Sequence, residues 1–163
     1  MSLHTSMNSP NVSLKSLLQT HRSIRTLLVD DSDIMRDYLT ILIGHECGLE
    51  LVGTATNGRQ TLRSVAALRP DLVLMDVDMP CLDGLQATRS IKESGRQSGY
   101  TPVIVILTAN DTLECRSQAG EAGADGFVAK SEDLRSQLKS TLARLFAGNR
   151  ESSPADLIEA RSL

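Results

Sequence analysis

Leu72-Val73-Leu74-Met75-Asp76 is an apolar run closed by a carboxylate, and its reading decides the fold. The run reads as a buried strand, apolar towards both faces as strands of parallel sheets are. A second run, Ile24 to Val29, ends in the acidic pair Asp30-Asp31. If the two strands lie side by side and parallel, their C-terminal ends bring three carboxylates to one edge of the sheet. Such a cluster repels itself unless a divalent cation sits there. Two more strand ends supply Thr108, after Val103 to Leu107, and Lys130, after Gly126 to Ala129. Together they describe a site for one magnesium ion and a phosphoryl group.

Around that stretch, short aliphatic runs near 24–29, 50–55, 71–75, 102–107 and 125–129 alternate with helical patterns, the signal for βαβ units. Ser32 is placed to cap a helix reaching Cys47, with Ile34, Met35, Tyr38, Leu39 and Leu42 on one stripe and Gly48 ending it. Asn57 caps a second helix to Leu68, which Pro70 forbids from continuing. A third helix is expected from about Gly84 to Glu93, followed by a polar loop from Ser94 to Thr101. A fourth, about Asp111 to Ala122, is thin in large apolar residues. Ser131, with Glu132 and Asp133 in the first turn, opens a fifth that ends around Phe146. Strict alternation with right-handed crossovers gives an α/β fold: a doubly wound, five-stranded parallel sheet of flavodoxin-like type, strand order 2-1-3-4-5. Ligands of such sheets bind beyond the carboxyl ends of the strands, where Asp30, Asp31, Asp76, Thr108 and Lys130 all fall.

The chain of 163 residues fits one domain with extensions. Residues 1–22 read as an N-terminal extension with a weak amphipathic piece at Val12 to Gln19, residues 23–148 as the folded domain, and residues 149–163 as a linker followed by a short helical pattern at Pro154 to Ala160. A net charge of −3 and a pI near 5.6 argue against direct nucleic-acid binding. Only two Tyr and two Phe are present, too few for base-stacking platforms. Cys47, Cys81 and Cys115 are odd in number and lack a CxxC arrangement, so reduced thiols are expected rather than disulfides or zinc. No apolar run reaches the ~20 residues of a membrane span, and the N-terminus lacks a signal-peptide core. The expected location is the cytoplasm, with no membrane contact.

Magnesium takes near-octahedral oxygen ligands and keeps several waters, so one or two carboxylates plus a phosphate suffice. Asp31 and Asp76 are the direct-ligand candidates, with Asp30 acting through water. A carboxylate can also serve as the nucleophile that accepts phosphoryl as an acyl phosphate, and Asp76 is fixed for that by its strand. Lys130 offers a compact cation to a phosphoryl oxygen, and Thr108 a hydroxyl donor. Each has an ordinary counterpart: a solvated acidic pair, a solvated Lys, a turn Thr. Phe127 reads equally as a core aromatic or as a ring that follows Thr108 inward. Four strand ends with matching residue types carry more than any one of them.

Leu27-Leu28-Val29-Asp30-Asp31-Ser32, Leu72 to Pro80, Leu107-Thr108-Ala109 and Gly123 to Lys130 resemble the receiver domain of two-component response regulators over about residues 24 to 146. The last segment is closest in style to receivers joined to helix-turn-helix output domains. The resemblance implies that Asp76 takes phosphoryl from a phosphohistidine on a histidine kinase or phosphotransfer protein. It further implies that Asp31, Asp76 and the backbone carbonyl of Asp78 hold magnesium with help from Asp30, and that Lys130 and Thr108 bind the phosphoryl group. Phe127 would be the switch aromatic. The chain would then be a stand-alone signalling switch, not an enzyme in its own right, that changes a surface including Leu113, Cys115, Ala119 and Phe127 for a downstream protein or a phosphorylation-dependent homodimer. The first helix, with Met35, Tyr38 and Leu39 partly exposed, would face the kinase. Two departures from the pattern stand out. Ser131 follows the Lys where most receivers have a cis-Pro, so a trans bond is expected, and Cys81 stands where Gly is frequent.

Three other readings compete. The chain could be the receiver portion of a larger DNA-binding or enzymatic regulator. It could be an interaction module that has lost phosphorylation, against which the complete site argues. Asp76-Val77-Asp78 also resembles the DxD motif of haloacid-dehalogenase-like phosphatases, but there the motif belongs on the first strand.

Overall fold

The computed structural model describes residues 23–46 and 48–147. Both terminal segments singled out in the sequence, 1–22 and 149–163, lie outside the described residues, as does Cys47. Five strands, β1 (Ile24–Val29), β2 (Leu49–Ala55), β3 (Leu72–Asp76), β4 (Val103–Thr108) and β5 (Gly126–Ala129), alternate with five helices. These are α1 (Asp33–His45), α2 (Gly58–Leu68), α3 (Gly84–Ser98), α4 (Leu113–Ala122) and α5 (Leu134–Phe146). All strands pair in parallel in the order β2-β1-β3-β4-β5, the flavodoxin-like arrangement the alternation predicts.

Side chains of a strand point alternately to its two faces, and here both faces are covered. Leu27, Val29, Val73, Met75, Ile104 and Ile106 pack against Val65, Leu85, Ile91, Ala119 and Ala122 of α2, α3 and α4. Leu28, Leu72, Leu74, Val105, Leu107 and Val128 pack against Leu39, Leu42, Ile43, Leu134 and Leu138 of α1 and α5. Burial on both sides is why the inner strands β3 and β4 read as continuous apolar sequence, while edge strand β2, with Glu50 and Thr54 exposed, does not. Among the described residues no helix is long and apolar enough to cross a membrane.

Several helix boundaries and faces differ from the sequence reading. On α1, Leu39, Leu42 and Ile43 are buried, whereas Ile34 is 83% and Tyr38 49% exposed. The expected stripe therefore splits: Leu39, named as partly exposed, is wholly buried, and the outward apolar residues are Ile34, Tyr38 and Ile41. Helix α3 runs to Ser98 rather than Glu93. Gly95, within the expected polar loop, is instead buried inside the helix, where any Cβ would collide with the Thr101 hydroxyl. The stop comes at Gly99, whose φ of 70° is the left-handed conformation of a helix C-cap. Helix α5 begins at Leu134, because residues 131–133 form a tighter turn in which Leu134 N–H donates to the Ser131 carbonyl at 3.0 Å. In α4, capped by Thr112, the buried residues are the small Cys115, Ala119 and Ala122, consistent with its thin apolar face. No peptide bond among the described residues is cis, Lys130–Ser131 included.

Candidate functional site

The register of the sheet sets four strand ends along one edge. Met75, next to the end of β3, pairs with Val29, Asp76 with Leu107, and Thr108 with Ala129. Residues one position beyond β1 and β5 therefore converge on Asp76, although 46 and 54 positions separate Asp30 and Lys130 from it in sequence. Asp30, Asp31 and Asp76 each offer a carboxylate oxygen, and those oxygens lie within 4.8 Å of one another. Lys130 Nζ donates to Asp30 Oδ2 and to Asp76 Oδ1, each at 2.7 Å. The Lys130 backbone N–H donates to the Thr108 carbonyl at 2.7 Å, which ties the ends of β4 and β5 together.

Asp30 and Lys130 are each held from more than one direction. Asp30 is buried; its Oδ1 accepts the Ser32 N–H at 2.9 Å, and its backbone carbonyl accepts from Arg36 Nη1 at 2.8 Å. The Ser32 hydroxyl in turn caps α1 by accepting from Met35 N–H. Asp31 is exposed. Thr108 is fully buried, and its Oγ1 accepts the Asn110 N–H at 3.0 Å. Asp78 is exposed, just past the strand. Phe127 is half-buried in β5; it packs on the layer under α3 and α4, and the Arg116 guanidinium carbon lies 4.4 Å from its ring centre.

Burial, helped by repulsion from Asp30 and Asp31 and opposed by the Lys130 ammonium, pushes the Asp76 carboxyl up from 3.8 to about 6. Burial pulls the Lys130 ammonium down, but its contacts with both carboxylates outweigh that and leave it raised. The partners respond differently because Lys130 meets two opposite charges while Asp76 meets one opposite and two like charges. At neutral pH Asp76 is thus ionised beside a cation that it shares with Asp30. The edge's donor set of hard oxygens fits a magnesium ion, and the carboxylates in excess of the one ammonium leave charge for such an ion to balance.

Two residues around the edge escaped the sequence reading. Gly84 opens α3 directly beneath Asp76, and a Cβ on it would collide with the Asp76 carbonyl oxygen; only the position of a Gly at a helix start hinted at this. Arg116 carried no signal, since its contact with Phe127 exists only once α4 and β5 are packed. Cys81, noted for standing where Gly is frequent, has φ 72°. With Leu82 N–H donating to the Pro80 carbonyl at 2.9 Å, it centres the rarer, positive-φ γ-turn, a strained conformation for a residue with a Cβ.

A family model for the response regulator receiver domain matches residues 26–142. The chain is 40% identical over 115 residues to a protein-glutamate methylesterase/protein-glutamine glutaminase of Nocardioides sp., covering 69% of this chain and 30% of that protein. It is 37% identical over 131 residues to the response regulator GacA of Pseudomonas aeruginosa, covering 80% of this chain and 59% of that protein. Among solved structures, a LuxR-family two-component response regulator from Aurantimonas sp. superposes with a TM-score of 0.70 at 32% identity, over 82% of this chain and 92% of that one. The response regulator domain of Thermotoga maritima CheB does so with a TM-score of 0.66 at 26% identity, over 77% and 96%. The chain thus spans 30% of the methylesterase and 59% of GacA, less than two thirds of either.

Proposed function

This chain belongs to the response regulator receiver domain family, and from that premise we propose that it accepts a phosphoryl group on Asp76 from a phosphohistidine of a histidine kinase or phosphotransfer protein. The observation that carries the reading is the Lys130 ammonium at 2.7 Å from both Asp30 and Asp76, with an Asp31 oxygen in the same cluster.

In the transfer an Asp76 carboxylate oxygen forms the new O–P bond while the N–P bond of the donor imidazole breaks, and the imidazole recovers a proton from solvent. Little covalent chemistry is asked of the protein; positioning and charge stabilisation dominate. Asp76 must be ionised to attack, which its value of about 6 permits at neutral pH. Lys130 places its ammonium against a phosphoryl oxygen, and the Thr108 hydroxyl donates to another. Asp31, Asp76 and the Asp78 backbone carbonyl would hold magnesium, with Asp30 acting through water. When bound, that ion supplies charge neutralisation to the phosphoryl oxygens. The added charge of about −2 draws Thr108 towards the phosphate and lets Phe127 turn inward. A surface that includes the exposed Leu113 then changes for a protein partner or a second copy, while Ile34, Tyr38 and Ile41 of α1 face the donor protein. On this reading the chain is a cytoplasmic switch that catalyses only its own phosphorylation and dephosphorylation.

Incubating the full chain with magnesium and acetyl phosphate tests this. Intact-mass spectra are expected to gain one phosphate in the wild type and none in Asp76→Asn; no adduct on the wild type rejects the proposal. A second reading, that the chain is the receiver part of a longer regulator, is favoured by its covering only 30% and 59% of the two curated relatives, and the genomic reading frame decides it.

A further inference from the structure

We propose that Arg116 is a latch on Phe127, anchored through Asp111 to the loop that follows Thr108, and that it opposes the inward turn of the ring until that loop moves. The inference deepens the phosphoryl-switch reading above and rests on it.

Three contacts run in series from the acidic edge to the ring. Asn110 N–H donates to Thr108 Oγ1 at 3.0 Å, which ties the start of the following loop to the end of β4. The next residue, Asp111, accepts through Oδ1 from Arg116 Nε at 2.6 Å. The Arg116 guanidinium carbon then stands 4.4 Å from the centre of the Phe127 ring. The pair also shows in its ionisation: the hydrogen bond from Arg116 holds the Asp111 carboxyl below its usual range, and the same bond holds the guanidinium above its own. Both ends therefore stay charged throughout the physiological range.

The physical logic follows from the two contacts of the guanidinium. A planar cation over an aromatic face is attracted by the ring quadrupole, and a carboxylate gripping its Nε fixes where that cation stands. A ring that turns inward abandons the cation to solvent, so the occupied outward position is favoured. A loop drawn towards a phosphoryl group by Thr108 carries Asp111 with it, and the guanidinium loses its anchor. Restraint and release thus sit on one loop, three residues from the hydroxyl that senses the phosphate. Asp111 and Arg116 are 43% and 45% exposed, so the pair is of the weak, salt-screened kind, as suits a contact that has to open.

The chain contains two Phe, Phe127 and Phe146, so incorporation of para-fluorophenylalanine into the full chain gives two fluorine NMR resonances, one of them an internal control. Spectra are compared for the wild type, Arg116→Gln, Asp111→Ala and Arg116→Lys, each alone and with magnesium plus beryllofluoride. In the free protein, Arg116→Gln and Asp111→Ala are expected to displace the Phe127 resonance towards its beryllofluoride position. The inward population should rise about two- to fivefold, the range a single exposed cation–π contact provides. Arg116→Lys, which keeps a cation, shifts it less, and the Phe146 resonance stays in place. If beryllofluoride moves the wild-type Phe127 resonance while the free variants coincide with the wild type, the latch is overturned and the switch reading stands. If beryllofluoride moves nothing and acetyl phosphate leaves Asp76 unmodified, the switch reading fails and the latch falls with it.

Discussion

Asp76→Asn should make the metal-free protein more stable at neutral pH. The Asp76 side chain is 5% exposed, and its carboxyl is displaced from 3.8 to about 6. Ionising it in the fold therefore costs about 3 kcal/mol more than ionising it in the unfolded chain. The sign follows from linkage: a carboxyl raised on folding contributes fully below the unfolded value, and that contribution is lost as pH rises through the folded value. Wild-type stability should thus fall between about pH 4 and pH 6 through this group. Asn is nearly isosteric, does not ionise, and can still accept from Lys130, which keeps Asp30 as a partner. The variant should match the wild type near pH 4 and exceed it by about 1–3 kcal/mol at pH 7. Urea unfolding at pH 4, 5, 6 and 7 in a chelator measures the gap; added magnesium should narrow it, because a ligand that binds only the folded wild type stabilises that state. A variant less stable than the wild type at pH 7 in chelator, or a gap independent of pH, would refute the electrostatic account of the site.

Three further substitutions probe neighbouring contacts. Lys130→Met removes the ammonium shared by Asp30 and Asp76 and should cost about 3–5 kcal/mol at pH 7, with much of the loss recovered at pH 4.5 as Asp76 protonates; chemical denaturation at the two pH values checks it. Gly84→Ala drives a Cβ into the Asp76 carbonyl and to 3.0 Å from Met75 Cγ, so a loss of about 3 kcal/mol should accompany slower acetyl phosphate labelling; wild-type labelling kinetics would contradict it. Cys81→Gly relieves the positive φ of 72° and should raise stability by about 1 kcal/mol, seen as a higher urea midpoint at unchanged slope.

Legibility in the sequence followed the number of constraints each residue satisfies locally. The strands were readable because Leu27 to Val29 and Leu72 to Met75 are buried on both faces, which leaves continuous apolar runs. Asp30, Asp76, Thr108 and Lys130 were readable because they break those runs at the edge where such sheets place ligands. The inner face of α1 was not, because the helix carries two apolar stripes, one through Leu39 and Leu42 and one through Ile34, Tyr38 and Ile41, and only packing decides which turns inward. The end of α3 was hidden by Gly95, which local propensity scores as a breaker but tertiary contact with Thr101 requires. The start of α5 was misplaced because Ser131-Glu132-Asp133 carries capping chemistry that the chain spends on a turn instead. The Arg116–Phe127 contact links two elements through their packing alone, and no spacing rule announces it.

The order in which the edge is assembled differs from its order in space. Asp30, Asp31 and Asp76 all leave the ribosome before Lys130, and a domain folds as a unit. The carboxylates and the ammonium shared by two of them therefore meet only once β5 is available to dock. Docking of β5, four residues long, brings that cation in and fixes it through the Lys130–Thr108 backbone bond. Completion of the sheet and partial neutralisation of its acidic edge coincide, so a chain arrested before residue 130 carries the acceptor without the counter-charge that holds it.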